Sequence, residues 1–182
     1  IPVDSVRYIR ILKAVDDSIN VYFKSNGENK ECISPLKKIL NAKANDSSIT
    51  ISAIGHAHID TGWLWPVKET IRKCARTFTN QLRLMEIYPE YKFGASQPQL
   101  YQFTKEYYPE VYQQIKERVK EGRWECQGGM WVEADCNLIS GESFVRQIFY
   151  GKKFYQDEFG IEVKNVWLPD VFGYSAAMPQ IM

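Results

Sequence analysis

The sequence predicts an α/β fold built on a parallel sheet and preceded by a short helical lead-in. From Ile49 onward, four strand-like apolar segments alternate with three amphipathic helical segments. Polar and aromatic residues that are unusual in loops follow each strand-like segment. This alternation is typical of βα units, whose parallel sheet is either open or rolled into a barrel. Ligands bind at the carboxyl ends of the strands in such folds, so distant parts of the chain are expected to meet at one edge.

Residues 1–48 are predicted to form a helical lead-in and a linker. Apolar residues recur at helical spacing through residues 3–23, and Ser34-Pro35 is typical of the start of a second short helix with Ser34 as its N-cap. A turn is expected over residues 25–29. The polar stretch of residues 41–48 is interpreted as the linker.

Residues 49–182 are predicted to form the repeating part, with turn residues between its elements. The expected strands are a first one from Ile49 to Gly55, then Tyr91 to Ser96, Arg123 to Gln127 and Glu162 to Leu168. The expected helices run from Pro66 to a point before Tyr88, from Pro109 to Gly122, and from the residue after Ser140 to Gly160.

Composition excludes several classes of function. The chain of 182 residues carries 23 basic and 22 acidic residues, and this net charge of +1 gives no electrostatic reason to expect a nucleic-acid partner. No apolar segment approaches the ~20 residues that span a membrane. The four cysteines form no CxxC pair, which argues against a thiolate zinc site and favours reduced thiols in a cytoplasmic protein. Because the chain begins at Ile1 and stops at Met182, we expect it to be a piece of a longer protein.

The segment after the first strand carries candidate metal ligands. His56, His58 and Asp60 occupy every second position, so an extended backbone would place all three on one face. Imidazole and carboxylate are ligands that zinc accepts. Spacing alone does not decide which of the three bind. Asp170, which follows the fourth predicted strand, could supply a further carboxylate at the same edge.

For other residues at the predicted edge of the sheet, the sequence pattern alone does not assign a role. One or two of its aromatic residues could face a pocket, and the pattern does not choose among Trp63, Trp65, Trp131 and Phe172. Glu133 and Asp135 are candidate catalytic carboxylates, although we interpret them in preference as solvated loop charges.

Three motifs stand out along the chain: HAHIDTGWLWP at 56–66, GGMWVEAD at 128–135 and WLPDVFGYS at 167–175. Together they resemble the catalytic domain of the glycoside hydrolase family 38 α-mannosidases. Their order and separation match those of the family, and the resemblance covers roughly residues 50–182. The IDTGWLWP form is similar to the branch that contains bacterial and cytosolic or vacuolar enzymes.

The resemblance implies a fold, an activity and a set of site residues. It implies that the chain forms a partial barrel, made of the first strands of the family's seven-stranded β/α barrel. It also implies that the parent protein is a retaining α-mannosidase that uses one Zn²⁺ ion. His58 and Asp60 match two zinc ligands. Asp170 matches a residue that is both a zinc ligand and the catalytic nucleophile, and Trp63 and Phe172 match aromatic residues that line the mannose subsite.

The family also has a histidine as fourth zinc ligand and an aspartate as acid/base residue, both farther along the chain. No histidine follows His58 here, so we expect the isolated chain to be inactive and to bind zinc weakly or not at all. The expected partners are an α-mannoside substrate and the rest of the parent chain. An open half barrel would expose strand edges and apolar helix faces, which favours self-association, and a homo-oligomeric parent is compatible with the sequence.

Two alternatives remain at this point. The His56-x-His58 pair also resembles the metal pair of amidohydrolases, and related seven-stranded barrels include polysaccharide deacetylases. In those enzymes His56 would be a ligand and an activated water the nucleophile, whereas His56 matches a non-ligand position in the mannosidases. The second alternative is a non-catalytic sugar-binding domain.

Overall fold

A computed structural model describes residues 3–25, 29–43 and 49–182, and it divides into two compact units, Ile1–Ile51 and Ser52–Met182. Within the described residues, no helix is both long enough and apolar enough to span a membrane.

The first unit is helical. It contains α1 (Val6–Lys24), α2 (Asn29–Cys32) and α3 (Ser34–Leu40), and α1 contacts both shorter helices. Ser5 caps α1 by accepting a hydrogen bond from the Tyr8 amide at 3.2 Å. The predicted helix over residues 3–23 is confirmed. The N-cap prediction for Ser34 is wrong, because Ser34 is the first helical residue and Ile33 precedes the helix without a side-chain cap. Residues 26–28 of the predicted turn and 44–48 of the predicted linker lie outside the described residues.

The second unit alternates strands and helices. In chain order its elements are β1 (Gly55–His56), α4 (Val67–Ile87), β2 (Phe93–Ala95), α5 (Pro98–Tyr107), α6 (Pro109–Lys120), β3 (Trp124–Cys126), α7 (Gly141–Phe159) and α8 (Met178–Ile181). The predicted helices at Pro66, Pro109 and Ser140 are confirmed. The α7 helix ends at Gly160, whose φ of 69° is the left-handed conformation that glycine adopts without strain.

The strands form a parallel sheet with the order β1-β2-β3. Gly55 pairs with Phe93, and Gly94 pairs with Glu125. Each parallel step is made through one or two helices, so the three strands end at the same edge. The α/β class and the parallel arrangement are therefore confirmed. The loops that leave this edge begin at Ala57, Ser96 and Gln127.

Two predicted strands are not formed as expected. Residues 49–54 are unpaired, and Ile49 and Ile51 are about nine-tenths exposed, because β2 pairs only with Gly55 and His56. Residues 162–168 contain no strand either. Gly128 has a φ of 74° and turns the chain just after β3, and the Gly129 amide then makes a single hydrogen bond to Asn165 O at 3.0 Å.

The α5 helix was not predicted. Pro98 occupies its first turn, and Leu100, Tyr101 and Thr104 form its buried face. The signal was present in the sequence, since Pro98 is followed by apolar residues at helical spacing. The α5 helix ends at Tyr107, and Tyr108 alone separates it from α6, which starts at Pro109.

Aromatic packing under the sheet fixes the strand ends. Trp124 of β3 packs edge-to-face on Phe78 of α4 and Phe93 of β2, with ring centroids 5.3 and 4.8 Å apart. Trp124 Nε1 donates to Tyr101 Oη at 2.9 Å, and Tyr101 Oη donates to the Ala95 carbonyl at 2.9 Å. Because these polar groups are fully satisfied inside the core, β2 and β3 are held rigidly up to the residues where the loops begin.

Candidate metal centre

The loop after β1 is held by one buried hydroxyl. Thr70 Oγ1 accepts hydrogen bonds from the Gly62 amide at 3.0 Å and from Trp65 Nε1 at 3.1 Å, and it donates to the Asp60 carbonyl at 2.9 Å. These three bonds exhaust the capacity of a hydroxyl group. Ile59 is buried in the core between the two polar residues of the loop. The loop from Asp60 to Trp65 is thereby fastened to the first turn of α4.

This loop and the loop at Asp170 converge. One ligand atom each of His58, Asp60 and Asp170 lies within 4.8 Å of the others. His58 Nε2 is 3.2 Å from Asp60 Oδ1 and 3.6 Å from Asp170 Oδ2. The side chain of His58 is about one quarter exposed, whereas that of Asp170 is more than half exposed. The three predicted ligands therefore share one site that is open to solvent on the Asp170 side.

The donor set fits a zinc ion. Ligand atoms that lie 2.0 to 2.2 Å from a tetrahedral ion are separated from each other by about 3.4 Å. The distances of 3.2 and 3.6 Å from His58 Nε2 lie on either side of this value, and the three ligand atoms all lie within 4.8 Å of one another, so they are close enough to share one ion. One imidazole nitrogen and two carboxylate oxygens are ligands typical of zinc.

Glu133 contacts the other nitrogen of the same imidazole. Its Oε2 lies 2.7 Å from His58 Nδ1, and its side chain is only 7% exposed. The pair is close but not aligned as a regular hydrogen bond, and neither atom has another partner among the described residues. The interpretation of Glu133 as a solvated loop charge is therefore wrong. That of Asp135 as a solvated charge is confirmed: it is exposed and accepts a hydrogen bond from the Asn137 amide.

The carboxylate of Glu133 governs the charge of His58 in the metal-free chain. Its closeness is the largest cause that raises the pKa of His58 to about 9, with Asp60 adding to the effect and burial opposing it. Burial lowers the pKa of His56, and the neighbouring His58 lowers it further, against the opposing influence of Glu133. The two histidines therefore differ in charge at neutral pH although they lie two residues apart.

Gln97 joins the loop of His58 to the loop of Glu133. Its Nε2 donates to the Ile59 carbonyl at 2.9 Å, and its Oε1 accepts from Thr61 Oγ1 at 3.2 Å and from the Glu133 amide at 3.3 Å. Gln97 has a φ of 65°, which is uncommon for a residue other than glycine. The side chain is buried, so this conformation is maintained by the two loops that it connects.

His56 stands apart from the metal group. The group of possible ligands found among the described residues contains His58, Asp60 and Asp170. The ring of His56 packs instead on that of Trp167, with centroids 5.1 Å apart, and its buried Nε2 lacks a hydrogen-bond partner in the described part of the chain. The arrangement that the deacetylase-like alternative requires, with His56 as a ligand, is not favoured by this geometry.

The aromatic candidates divide into exposed and packed residues. Phe172 is 91% exposed and Trp63 is 65% exposed, and both lie in the loops that carry the metal group. Trp65 is bonded to Thr70, and Trp131 donates from Nε1 to Gln99 Oε1 at 2.9 Å while packing on the core. Trp63 and Phe172 are thus the most exposed of the four candidates, while Trp65 and Trp131 are partly buried.

Comparison with known proteins assigns the family. The model of the glycosyl hydrolases family 38 N-terminal domain matches residues 48–182. The chain belongs to glycosyl hydrolase family 38. Family 38 was expected from three short motifs, and the match extends this likeness over the whole second unit.

Relatives in family 38 are similar along most of the chain. Alpha-mannosidase G of Dictyostelium discoideum is 45% identical over 183 residues, and Alpha-mannosidase 2C1 of Homo sapiens is 43% identical over 180 residues. These alignments cover 100% and 98% of this chain, but the chain spans only 17% of the length of each relative. The crystal structure of an alpha-mannosidase from Enterococcus faecalis V583 matches with a TM-score of 0.63 and 29% identity, over 70% of this chain and 14% of that one.

Proposed function

We propose that the chain is part of the catalytic domain of a zinc-dependent α-mannosidase that releases terminal α-mannose with retention of configuration. The observation that carries the proposal is the convergence of His58 Nε2 with the carboxylates of Asp60 and Asp170, which lie 110 positions apart in the sequence. The names of the family 38 relatives supply the substrate class. We also propose that the three-stranded parallel sheet is the beginning of the family's β/α barrel.

The proposed metal ligands are His58 Nε2, one oxygen of Asp60 and one oxygen of Asp170. Zinc bound there would lower the basicity of the carboxylate and engage hydroxyl groups of the sugar. The fourth ligand is expected from a part of the longer protein that this chain does not contain. Asp170 is the most exposed of the three, so its carboxylate is the one that a substrate can reach.

Asp170 is the proposed nucleophile. Its free oxygen attacks the anomeric carbon and forms a glycosyl ester, while the bond to the leaving oxygen breaks and that oxygen takes a proton from a carboxylic acid. Water then cleaves the ester and returns the proton to the same acid, which restores the carboxylate of Asp170. Two inversions give net retention. The acid must lie about 5 to 5.5 Å from the nucleophile and belongs to the remainder of the enzyme.

Trp63 and Phe172 are the proposed walls of the mannose subsite. Both side chains are exposed in the loops that carry the metal ligands, and large exposed apolar side chains are costly unless a ligand or another part of the protein covers them. The apolar face of a sugar ring is a suitable partner for an aromatic ring.

The nucleophile role is tested in the longer enzyme that contains this chain, with an aryl α-mannoside as substrate. We expect Asp170→Asn to reduce kcat by about 10³-fold or more while the far-ultraviolet circular dichroism stays unchanged. The control is Asp135→Asn, an exposed aspartate of a neighbouring loop whose oxygen acceptor is retained. Comparable activity in both variants would remove Asp170 from the mechanism.

A slow fluorinated mannosyl substrate separates the two metal hydrolase mechanisms. We expect mass spectrometry to find a mannosyl adduct on the peptide that contains Asp170. A reaction in which water attacks directly, as in the deacetylase-like alternative, forms no adduct. An active enzyme without an adduct would therefore overturn the covalent mechanism and retain the metal site.

A further inference from the structure

We infer that Glu133 is a positioning residue for the metal centre: its buried carboxylate holds the Nδ1 edge of His58, so that Nε2 faces Asp60 and Asp170. The inference rests on the proposed function, because it concerns how the chain prepares a ligand for the zinc ion. No motif or pattern in the sequence had assigned this role to Glu133.

The two nitrogens of His58 face different groups. Nδ1 is 2.7 Å from Glu133 Oε2, whereas Nε2 is 3.2 Å from Asp60 Oδ1 and 3.6 Å from Asp170 Oδ2. Nδ1 and Glu133 Oε2 are both buried and lack any other partner in the described part of the chain, so each is the only available partner of the other. Separating these two buried atoms would leave both without a partner, which is unfavourable and favours this contact.

Glu133 is itself fixed from the end of β2. Ser96 Oγ donates to Glu133 Oε1 at 2.5 Å, and the Glu133 amide donates to Gln97 Oε1 at 3.3 Å. Ser96 is buried and directly follows the last residue of β2. Ser96 and Glu133 thus connect the end of β2 to the imidazole of His58.

These contacts select one tautomer of the His58 imidazole. With Nδ1 beside a carboxylate, the proton of the neutral ring stays on Nδ1, and the lone pair of Nε2 points toward the metal group. Histidines that bind metals commonly donate their other ring N–H in this way, and loss of the outer partner typically weakens metal binding by 10- to 100-fold. We therefore expect Glu133 to control zinc affinity without touching the ion or the substrate.

The experiment measures the zinc dissociation constant of the longer enzyme by competition with a chromophoric chelator. We expect Glu133→Gln to raise the constant at least about 10-fold and Ser96→Ala to raise it about 2- to 10-fold. The matched control is Glu125→Gln, an exposed glutamate of β3, which should leave the constant unchanged. Visible absorption of the Co²⁺-substituted enzymes gives a second readout, which should change in Glu133→Gln and stay constant in Glu125→Gln.

A purely structural role makes a different prediction. In that case Glu133→Gln would lower the melting temperature and leave both the zinc dissociation constant and the Co²⁺ spectrum of the folded enzyme unchanged, which would overturn the inference. If Glu133→Gln does not fold, Ser96→Ala decides by the same criteria. A wild-type enzyme that binds no zinc would refute the metal site itself, whereas tight binding that is insensitive to both substitutions refutes only the role of Glu133.

Discussion

Replacement of Thr70 by valine tests how the metal-bearing loop is fixed. Valine has nearly the same shape as threonine, so the substitution removes the hydroxyl and leaves the packing of α4 in place. The Gly62 amide, Trp65 Nε1 and the Asp60 carbonyl would then lose the partner that they share. Since Asp60 is a proposed ligand, the change should weaken both the fold and the metal centre.

The magnitude follows from these three bonds. A buried group that loses its hydrogen-bond partner costs about 1–3 kcal/mol, and groups that water reaches cost less. Thr70 is fully buried, whereas Gly62 and Trp65 are partly exposed. We therefore expect a loss of about 2–4 kcal/mol in the free energy of unfolding. For a domain of this size, that loss corresponds to a fall of roughly 4–16 °C in melting temperature.

Tryptophan fluorescence is a suitable assay, because all five tryptophans lie in the second unit. Urea unfolding of the 182-residue chain followed by this signal gives the free energy of unfolding. Thr79→Val, at an exposed position of the same helix, controls for the effect of valine on helix stability. A loss below about 0.5 kcal/mol relative to this control would show that Thr70 does not hold the loop.

Two further predictions concern stability. Gly151→Ala should destabilise the chain by about 1–3 kcal/mol in urea unfolding, because a Cβ atom there would lie 2.1 Å from the Gly129 carbonyl oxygen. The control is Gly141→Ala, which should be neutral or slightly stabilising because the space around Gly141 is open. Burial raises the pKa of Glu158, but hydrogen bonds led by that from Lys105 more than offset this and lower it. The charged carboxylate of Glu158 therefore stabilises the fold at pH values above its pKa in the unfolded chain. This stabilisation is lost as the pH falls through the lower pKa of Glu158 in the folded chain. Glu158→Gln should be less stable than wild type at pH 7, and the difference should shrink as the pH falls below 4.5, the ordinary pKa of a glutamate, in the same assay.

The proposed ligands could be identified from the sequence, whereas their support could not. Strand alternation grouped His56, His58 and Asp60 without choosing among them, and the rule that parallel strands end at one edge connected them to Asp170. The resemblance to family 38 then selected His58 and Asp60 as the ligands. The burial of Glu133 depends on Ser96 and on the imidazole of His58, which lie 37 and 75 positions earlier in the chain. A single sequence contains no local signal for such contacts, so Glu133 looked like an ordinary loop charge.

Strand length is the other feature that the sequence overstated. The apolar alternation at residues 49–54 satisfies the pattern of a strand, but a strand also needs a neighbour that supplies hydrogen bonds, and β2 supplies them only at Gly55 and His56. The opposite error occurred at α5, where no helix was predicted between the strand that ends at Ser96 and Pro109, although Pro98 is the first residue of one. Both errors arise because pairing and boundaries depend on tertiary context.

The most direct test of the proposed metal centre is anomalous X-ray diffraction at the zinc edge from zinc-soaked crystals of the longer protein proposed to contain this chain. One zinc peak is expected within about 2.0–2.2 Å of His58 Nε2 and of a carboxylate oxygen each from Asp60 and Asp170, with His56 outside the coordination sphere. A zinc ion bound through His56, or one that leaves Asp170 uncoordinated, would contradict the proposed metal centre.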